Sequence, residues 1–593
     1  VKPKGINSNR STEINMSVVE ASNSPSAGAG FPSLDDAISV VRDGSERWGA
    51  LSVGERAVTM GEVHRAMAGV AESWARTACE IKEIPFTSPY AGEEWLSGPY
   101  AAIAGAGLLA ETLADLAAKR SPLQDATISS APGGRSRIRV LPFDRREALL
   151  MHGFSVEVWT RPEIDIARAR ERAGLGISDG YAQPGVGIVL GAGNITSIAP
   201  LDVLYELVVH GRGVVLKLNP ILADMMTVIS QALWPLIRDG YVRVVQGGVA
   251  EGEYLTAHPL VDHVHITGSA STHDAIVWGS GEDAAKRRKD GRPRLTVPIS
   301  SELGGVSPII LVPGRWSRAD LRFQAEHVAT MRLHNAGHNC IAGQVVLLSS
   351  DWEQRETFLA ELRDALRRAP ARPSWYPGSV DRVTSASKRP GAETFGASSE
   401  RVLLTSSSPE EVDWLENTEM FAAVLGVVDL PGTGEEFLEA AIDHANRHLA
   451  GTLGANVIID PSTLRRIGPR RFDELLAAAR YGTIGVNLWT GFGFLTGRAP
   501  WGAFPGHTLD DIGSGIGVVH NALLIDDVER TVLRGPFRPF PRSILRGEFS
   551  LFPKPPWFVS ARSAQVTGRR LADFAVHPAW AKLPAIFAAA FQA

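Results

Sequence analysis

Cys340 lies in the run Asn335-Ala-Gly-His-Asn-Cys-Ile-Ala-Gly343, among small and polar residues. A structural cysteine more often sits among large apolar groups, so this thiol is a candidate nucleophile. It would need activation, because a free thiol is mostly protonated at neutral pH. His338 is close in sequence and leaves a Cys–His hydrolase open. Glu302 heads Glu302-Leu-Gly-Gly305, after a strand expected over Leu295–Ile299. A carboxylate there is either a charged strand end or a general base acting through a water. Asn194 ends the turn Gly191-Ala-Gly-Asn194, where an amide either caps a helix or donates to an oxyanion. Gly268-Ser269 repeats that turn and suits an anion at a helix start. No G-x-G-x-x-G occurs at either turn.

These residues must be held by an α/β framework. Val186–Leu190, Val214–Leu218, Val242–Gln246 and His263–Thr267 read as strands, with helices over Thr196–His210 and Ala223–Arg238. Such alternation implies a parallel sheet with covering helices, and ligands bind beyond the carboxyl ends of its strands. Residues 34–118 read as helical. Ile138–Leu141 and Phe154–Trp159 read as strands of a hairpin or ribbon outside the main core. Residues 286–294, KRRKDGRPR, read as a solvated basic loop, with contact to a phosphate or an acidic partner as the alternative.

The chain has 593 residues, with 60 Lys+Arg against 65 Asp+Glu and a formal charge of −5. That length implies several domains, and the balance argues against a dedicated nucleic-acid binder. The 44% apolar content excludes disorder throughout. Two cysteines, Cys79 and Cys340, exclude a disulfide framework and a Cys-rich metal site. No metal is expected, and a cytoplasmic, reducing location fits. Residues 1–33 have a disorder-prone composition, with Met16 a candidate start. No apolar run is long enough to suggest a membrane span.

Taken in order, Asn194, Lys217, Gly268-Ser269, Glu302-Leu-Gly-Gly305 and Cys340 resemble the aldehyde dehydrogenase superfamily. Glu419-Met-Phe421 resembles its Glu-x-Phe element, Val486-Asn487 its Val-Asn strand, and Pro500-Trp-Gly502 its late Pro-Phe-Gly-Gly box. The likeness runs from about residue 45 to 525. Departures are Gly-Ala-Gly before Asn194, Val306 where lysine is usual, and a tail beyond about residue 525.

The resemblance implies a Rossmann-like nucleotide-binding domain, an α/β catalytic domain and a small β oligomerisation element. Residues 34–301 would hold the N-terminal helices and nucleotide domain, with the oligomerisation hairpin near 135–162. Residues 302–495 would form the catalytic domain, and 496–593 a return segment and C-terminal extension. It implies oxidation of an aldehyde by NAD or NADP in a homo-oligomer, dimer or tetramer. Cys340 would attack the aldehyde, Asn194 hold the oxyanion, and Glu302 activate water on the thioester. Lys217, Gly268, Ser269, Glu419 and Phe421 would contact the cofactor. Pro220 stands where NAD-selective members often carry a glutamate, which leaves NADP open. Trp489, Phe492 and Phe494 would line a pocket for a long-chain or aromatic aldehyde, with Tyr205 near the entrance, or else pack in the core. Glu302 favours hydrolysis over acyl transfer to coenzyme A. A CoA-acylating enzyme and a non-catalytic binding protein are the alternatives. The tail, with Phe537, Phe540, Phe552, Trp557 and Phe558, would pack on its own chain or a partner, cover the entrance, or touch a membrane surface.

Overall fold

The computed structural model describes residues 31–174, 184–405 and 408–593. Met16 and most of the segment read as disordered lie outside the described residues. The first helix, Pro32–Ala50, starts just before the expected Leu34. Its opening proline occupies a position that needs no N–H donor.

Six strands form one sheet, in the order Gly515–Ile516, Ile299–Leu303, His263–Gly268, Val186–Leu190, Gly213–Lys217, Val242–Val245. The last five are parallel. Their apolar runs, such as Val-Gly-Ile-Val-Leu, suit a sheet covered on both faces. From Val186–Leu190 the chain winds outward to Val242–Val245, then returns to the other side of the starting strand. That reversal opens a crevice at the carboxyl ends of Val186–Leu190 and His263–Gly268. The strand expected at Leu295–Ile299 instead spans Ile299–Leu303, so Glu302 lies within it. Pro298, which has no N–H for a ladder, stands just before it.

Eleven strands form the second sheet: Ile128–Ala131, Arg135–Leu141, Ser155–Thr160, Val528–Arg534, Thr483–Val486, Gly454–Ile458, Ser307–Leu311, Gly343–Ser349, Val424–Leu430, Arg401–Leu404 and Ala392–Phe395. The two strands near 135–162 are therefore not a ribbon outside the core. Ser155–Thr160 pairs with Val528–Arg534, which continues parallel into Thr483–Val486 of the same chain. Ile138, Val140, Val156 and Val158 are fully buried. Alternating apolar residues on this face supply the reason.

Gly304-Gly305 carries the chain from the carboxyl end of Ile299–Leu303 to the amino end of Ser307–Leu311. A Cβ at Gly304 would overlap the Glu419 carboxylate, and one at Gly305 would come within 2.9 Å of the Ala450 carbonyl. The glycine pair thus lets one sheet's carboxyl ends face the other's amino ends, where Cys340 precedes Gly343–Ser349.

Two further readings change. The basic run KRRK closes a helix, Gly281–Lys289, rather than forming a loop. Its cations sit at the negative end of the helix dipole, with Glu282 and Asp283 at the other end. The helical run Ala91–Ala117 is long and apolar enough to cross a membrane by length and composition. Here its Ala102, Ile103, Ala106 and Leu113 share a buried cluster with Met60, Val63 and Met67 of Val53–Gly69.

The C-terminal segment packs on its own chain. Phe558 stacks on Phe323 at 5.3 Å, and Phe537 meets Trp316 edge-on at 5.1 Å. Arg538 and Arg542 both pair with Asp320. Phe552 and Trp557 are buried, whereas Phe540 is partly exposed.

Candidate active site

Cys340 follows a tight turn after the helix Arg318–Leu333. Asn335 and Ala336 adopt left-handed backbone, φ +53° and +54°, and Gly337 follows at +82°. Such conformations persist where the surroundings over-determine them. Here Arg332, fully buried, donates from Nε to the Ala422 carbonyl at 2.7 Å and from Nη2 to Gly337 at 3.2 Å. The Asn335 backbone N–H donates to Glu93 at 2.9 Å, and Asn335 Oδ1 accepts from Lys82 Nζ at 3.2 Å. Lys82 pairs with Glu94 at 2.8 Å, and Arg372 pairs with Glu93. Four buried charges thus clamp one asparagine.

Asn335 Nδ2 donates to the His338 carbonyl at 3.0 Å, and Asn194 Nδ2 donates to the same oxygen at 2.9 Å. Asn194 is therefore held by its contact to the cysteine loop, rather than serving as a helix cap. A carboxamide nitrogen carries two protons, so one N–H remains beyond this bond. Asn194, Glu302 and Cys340 together line two cavities that meet at the thiol.

Glu302 is 3% exposed. Burial raises its pKa to about 7, opposed by hydrogen bonds from the Cys340 thiol and the Trp501 indole. The indole bond measures 3.2 Å. A carboxyl poised there is matched to general-base work near neutrality. Burial, then the charges of Glu302 and Glu419, push the Cys340 thiol upward. The sulfur is therefore held as the thiol. His338 is no alternative base. Burial lowers it to about 2, and its Nε2 faces Ser379 Oγ at 2.9 Å. The Cys–His reading is set aside on that geometry.

The larger cavity has a volume of ≈730 Å³. All five residues expected to bind a cofactor, Lys217, Gly268, Ser269, Glu419 and Phe421, line it. Ser269 caps the helix Ala270–Trp278, its Oγ accepting from Thr272 N at 3.2 Å. A Cβ at Gly193 would come within 2.7 Å of the Asn219 side chain, which keeps that turn close to the crevice. Glu419 presents a buried carboxylate oxygen, Oε1, with no hydrogen-bond partner among the described residues. Burial raises this acid to about 7, opposed by Arg332 and the Gly305 N–H. Gly248 and Val249, at a second helix start, also line the cavity. Gly247-Gly248 after Val242–Val245 repeats the strand–glycine–helix turn, a signal the sequence reading passed over.

The smaller cavity, ≈50 Å³, lies against the same thiol. Leu96, Ile195, Ile198, Trp489 and Phe494 supply apolar wall. Trp489 and Phe494 thus sit where the sequence suggested, but Phe492 does not. It packs against Phe154 at 5.8 Å and Trp557 at 5.2 Å, on the other side of the short helix Gly491–Leu495. Tyr205 lines a neighbouring cavity and packs on His210 at 5.4 Å, away from this one. Asp202, Thr267, Trp501 and His520 also line the smaller cavity, and sequence reading assigned none of them a role.

Residues 184–379 match the model of the aldehyde dehydrogenase family. The 4,4′-diaponeurosporen-aldehyde dehydrogenase of Staphylococcus aureus is 24% identical over 164 residues, covering 26% of this chain and 32% of the relative. The matches span less than half the length of the curated relatives. Among solved structures, an NAD-dependent aldehyde dehydrogenase from Sinorhizobium meliloti aligns with TM-score 0.55 and 18% identity, over 86% of this chain and 89% of that one. An NADP-dependent glyceraldehyde-3-phosphate dehydrogenase from Bacillus halodurans, complexed with NADP, aligns with TM-score 0.55 and 16% identity, over 85% and 91%. At such identity the likeness is one of fold. With the ordered boxes around Asn194, Glu302 and Cys340, residues 184–379 carry the match to the aldehyde dehydrogenase family, within a chain that shares the fold of those enzymes.

Proposed function

We propose that the chain oxidises an aldehyde to a carboxylic acid, with NAD or NADP accepting the hydride. The carrying observation is that Cys340, Glu302 and Asn194 line both cavities, with the Glu302 charge close enough to raise the thiol. The ≈730 Å³ crevice fits a dinucleotide. Two helix starts suit its phosphates, Lys217 and the unpartnered Glu419 Oε1 suit ribose hydroxyls, and Phe421 offers an apolar wall. Bound there, the nicotinamide supplies the hydride acceptor. No carboxylate stands at Pro220 to repel a 2′-phosphate, so both cofactors fit.

Glu302 takes the thiol proton as the Cys340 sulfur adds to the carbonyl carbon. The oxygen gains negative charge, and the second N–H of Asn194 stabilises it. Losing one such donor costs about 3–4 kcal/mol of barrier. Cys340 holds the carbon as a thiohemiacetal before oxidation and as a thioester after it. Glu302 releases the thiol proton to solvent and then takes a proton from water, the hydroxide adds to the thioester, and the Cys340 sulfur leaves, regaining a proton from Glu302. Glu302 lines both cavities with Cys340, which puts a base beside the thioester and favours hydrolysis over transfer to coenzyme A.

The apolar wall supports an apolar aldehyde, and ≈50 Å³ favours a short or flat one over a long chain. The test is absorbance of the reduced nicotinamide with a panel of aldehydes and each cofactor. Turnover that Cys340→Ala abolishes sustains the reading. Turnover that requires coenzyme A replaces it with the acylating one.

A further inference from the structure

Resting on the oxidation just described, we infer that the smaller cavity selects an aldehyde that also carries a hydroxyl group, alcohol or phenol. The reader of that hydroxyl is His520, set by Asp202.

Asp202 is fully buried. Burial pushes its carboxyl up, but His265 and His520 hold it down at about 2. It is therefore a carboxylate, which only accepts hydrogen bonds. Its Oδ2 accepts from Thr267 Oγ1 at 3.0 Å, and its Oδ1 lies 3.2 Å from His520 Nε2. A carboxylate only accepts, so this contact places a ring proton of His520 on Nε2; in the neutral ring Nδ1 then keeps its lone pair. The side chain is 7% exposed, and Nδ1 is buried with no partner among the described residues. Two other polar groups on this wall are paired. Ser97 donates to the Glu93 carbonyl at 2.7 Å, and Asn339 Nδ2 lies 3.3 Å from His334 Nδ1. His520, which lines this largely apolar cavity, thus carries a buried ring nitrogen without a partner among the described residues.

The acceptor is also fixed in place. His520 adopts left-handed backbone at φ +56°. On one side Val519 and Trp501 exchange backbone hydrogen bonds at 2.7 and 2.9 Å. On the other, Asn521 exchanges two with Ile525, at 2.7 and 2.9 Å. Phe494 packs edge-on to the ring at 5.0 Å. A rigid, buried and unpaired acceptor answers a donor, and a substrate lacking that donor leaves it unpaired at a cost. Sites built to hydrogen-bond a hydroxyl reject the analogue without it far more strongly than apolar pockets reject a methylene.

The experiment measures kcat/KM for matched sets: two- to four-carbon hydroxyalkanals and 3- and 4-hydroxybenzaldehyde, each beside its deoxy and O-methyl counterparts. The hydroxylated member should exceed both counterparts by about 10²-fold, and His520→Phe should collapse the ratio to within about threefold. A wild-type ratio below about threefold in every set, an O-methyl compound matching its hydroxyl partner, or a ratio that survives His520→Phe each overturns the inference. Binding of p-cresol and 4-methylanisole is read in parallel from the fluorescence of Trp489 and Trp501. If no aldehyde is oxidised but p-cresol binds selectively, the hydroxyl subsite stands and the oxidation falls. If both probes bind alike without turnover, both fall.

Discussion

The indole N–H of Trp501 donates to Oε1 of Glu302 at 3.2 Å, across 199 positions of sequence. This bond and the Cys340 thiol oppose the rise that burial imposes on the carboxyl. Replacing Trp501 by Phe removes the donor, so the pKa of Glu302 moves further up. The acid limb of the pH–rate profile should shift to higher pH. Activity at pH 7 should fall about three- to tenfold and recover toward pH 9, in keeping with the worth of a hydrogen bond to a charged group. An unshifted profile would remove Trp501 from the control of the base.

Glu302 should destabilise the fold where it is useful. Its folded pKa, about 7, exceeds the ordinary 4.5. The native state therefore binds its proton more tightly than the unfolded chain does. The resulting stability is full below pH 4.5 and is lost as pH rises through about 7. Glu302→Gln should be more stable than wild type at pH 8, by on the order of 3 kcal/mol in chemical denaturation, with little advantage at pH 4.5. Its turnover should vanish.

The two cysteines should separate under alkylation. Cys79 is buried in the helix Ala71–Ile81, and burial followed by the charge of Glu94 raises its pKa to about 12. Cys340 lines both cavities beside its base. Iodoacetamide should modify one thiol per chain quickly, and Cys340→Ala should abolish that phase. Mass spectrometry of the labelled peptides checks the assignment, and fast labelling at Cys79 would contradict it.

Arg372→Met leaves the Glu93 carboxylate in the interior without its closest cation. Removing one partner of a buried pair typically destabilises by about 3–5 kcal/mol. Because Glu93 also holds the Asn335 backbone N–H, kcat should fall as well. Cofactor affinity should not change, since neither residue lines the large cavity. Chemical denaturation and cofactor titration separate the two effects.

Much of this site was legible because its parts are local. Gly191–Asn194 and Gly268-Ser269 each join a strand to a helix, and turn chemistry of that kind is written in neighbouring residues. The remainder depended on partners far away in the chain. Lys82 reads as one more charge on an amphipathic helix until Asn335, 253 residues on, meets it. His520 reads as a loop histidine until Asp202 does. The strands near 135–162 looked peripheral because their neighbour, Val528–Arg534, comes almost four hundred residues later. Phe492 shares its composition with Trp489 and Phe494, and only the turn of a short helix decides which side each faces.

Gly515–Ile516 pairs antiparallel with Ser301–Glu302, and the Leu303 N–H donates to the Ser514 carbonyl at 2.9 Å. The edge that carries the base is therefore finished by residues made more than two hundred positions after it. During synthesis, a chain that has emerged only as far as Cys340 already carries the nucleophile, yet has neither Trp501 nor the closing strand. The surroundings of the thiol–carboxylate pair are complete only once the segment through Ile516 has been made. A chain stopped before Trp501 would carry Cys340 and Glu302 without the indole donor and the closing strand.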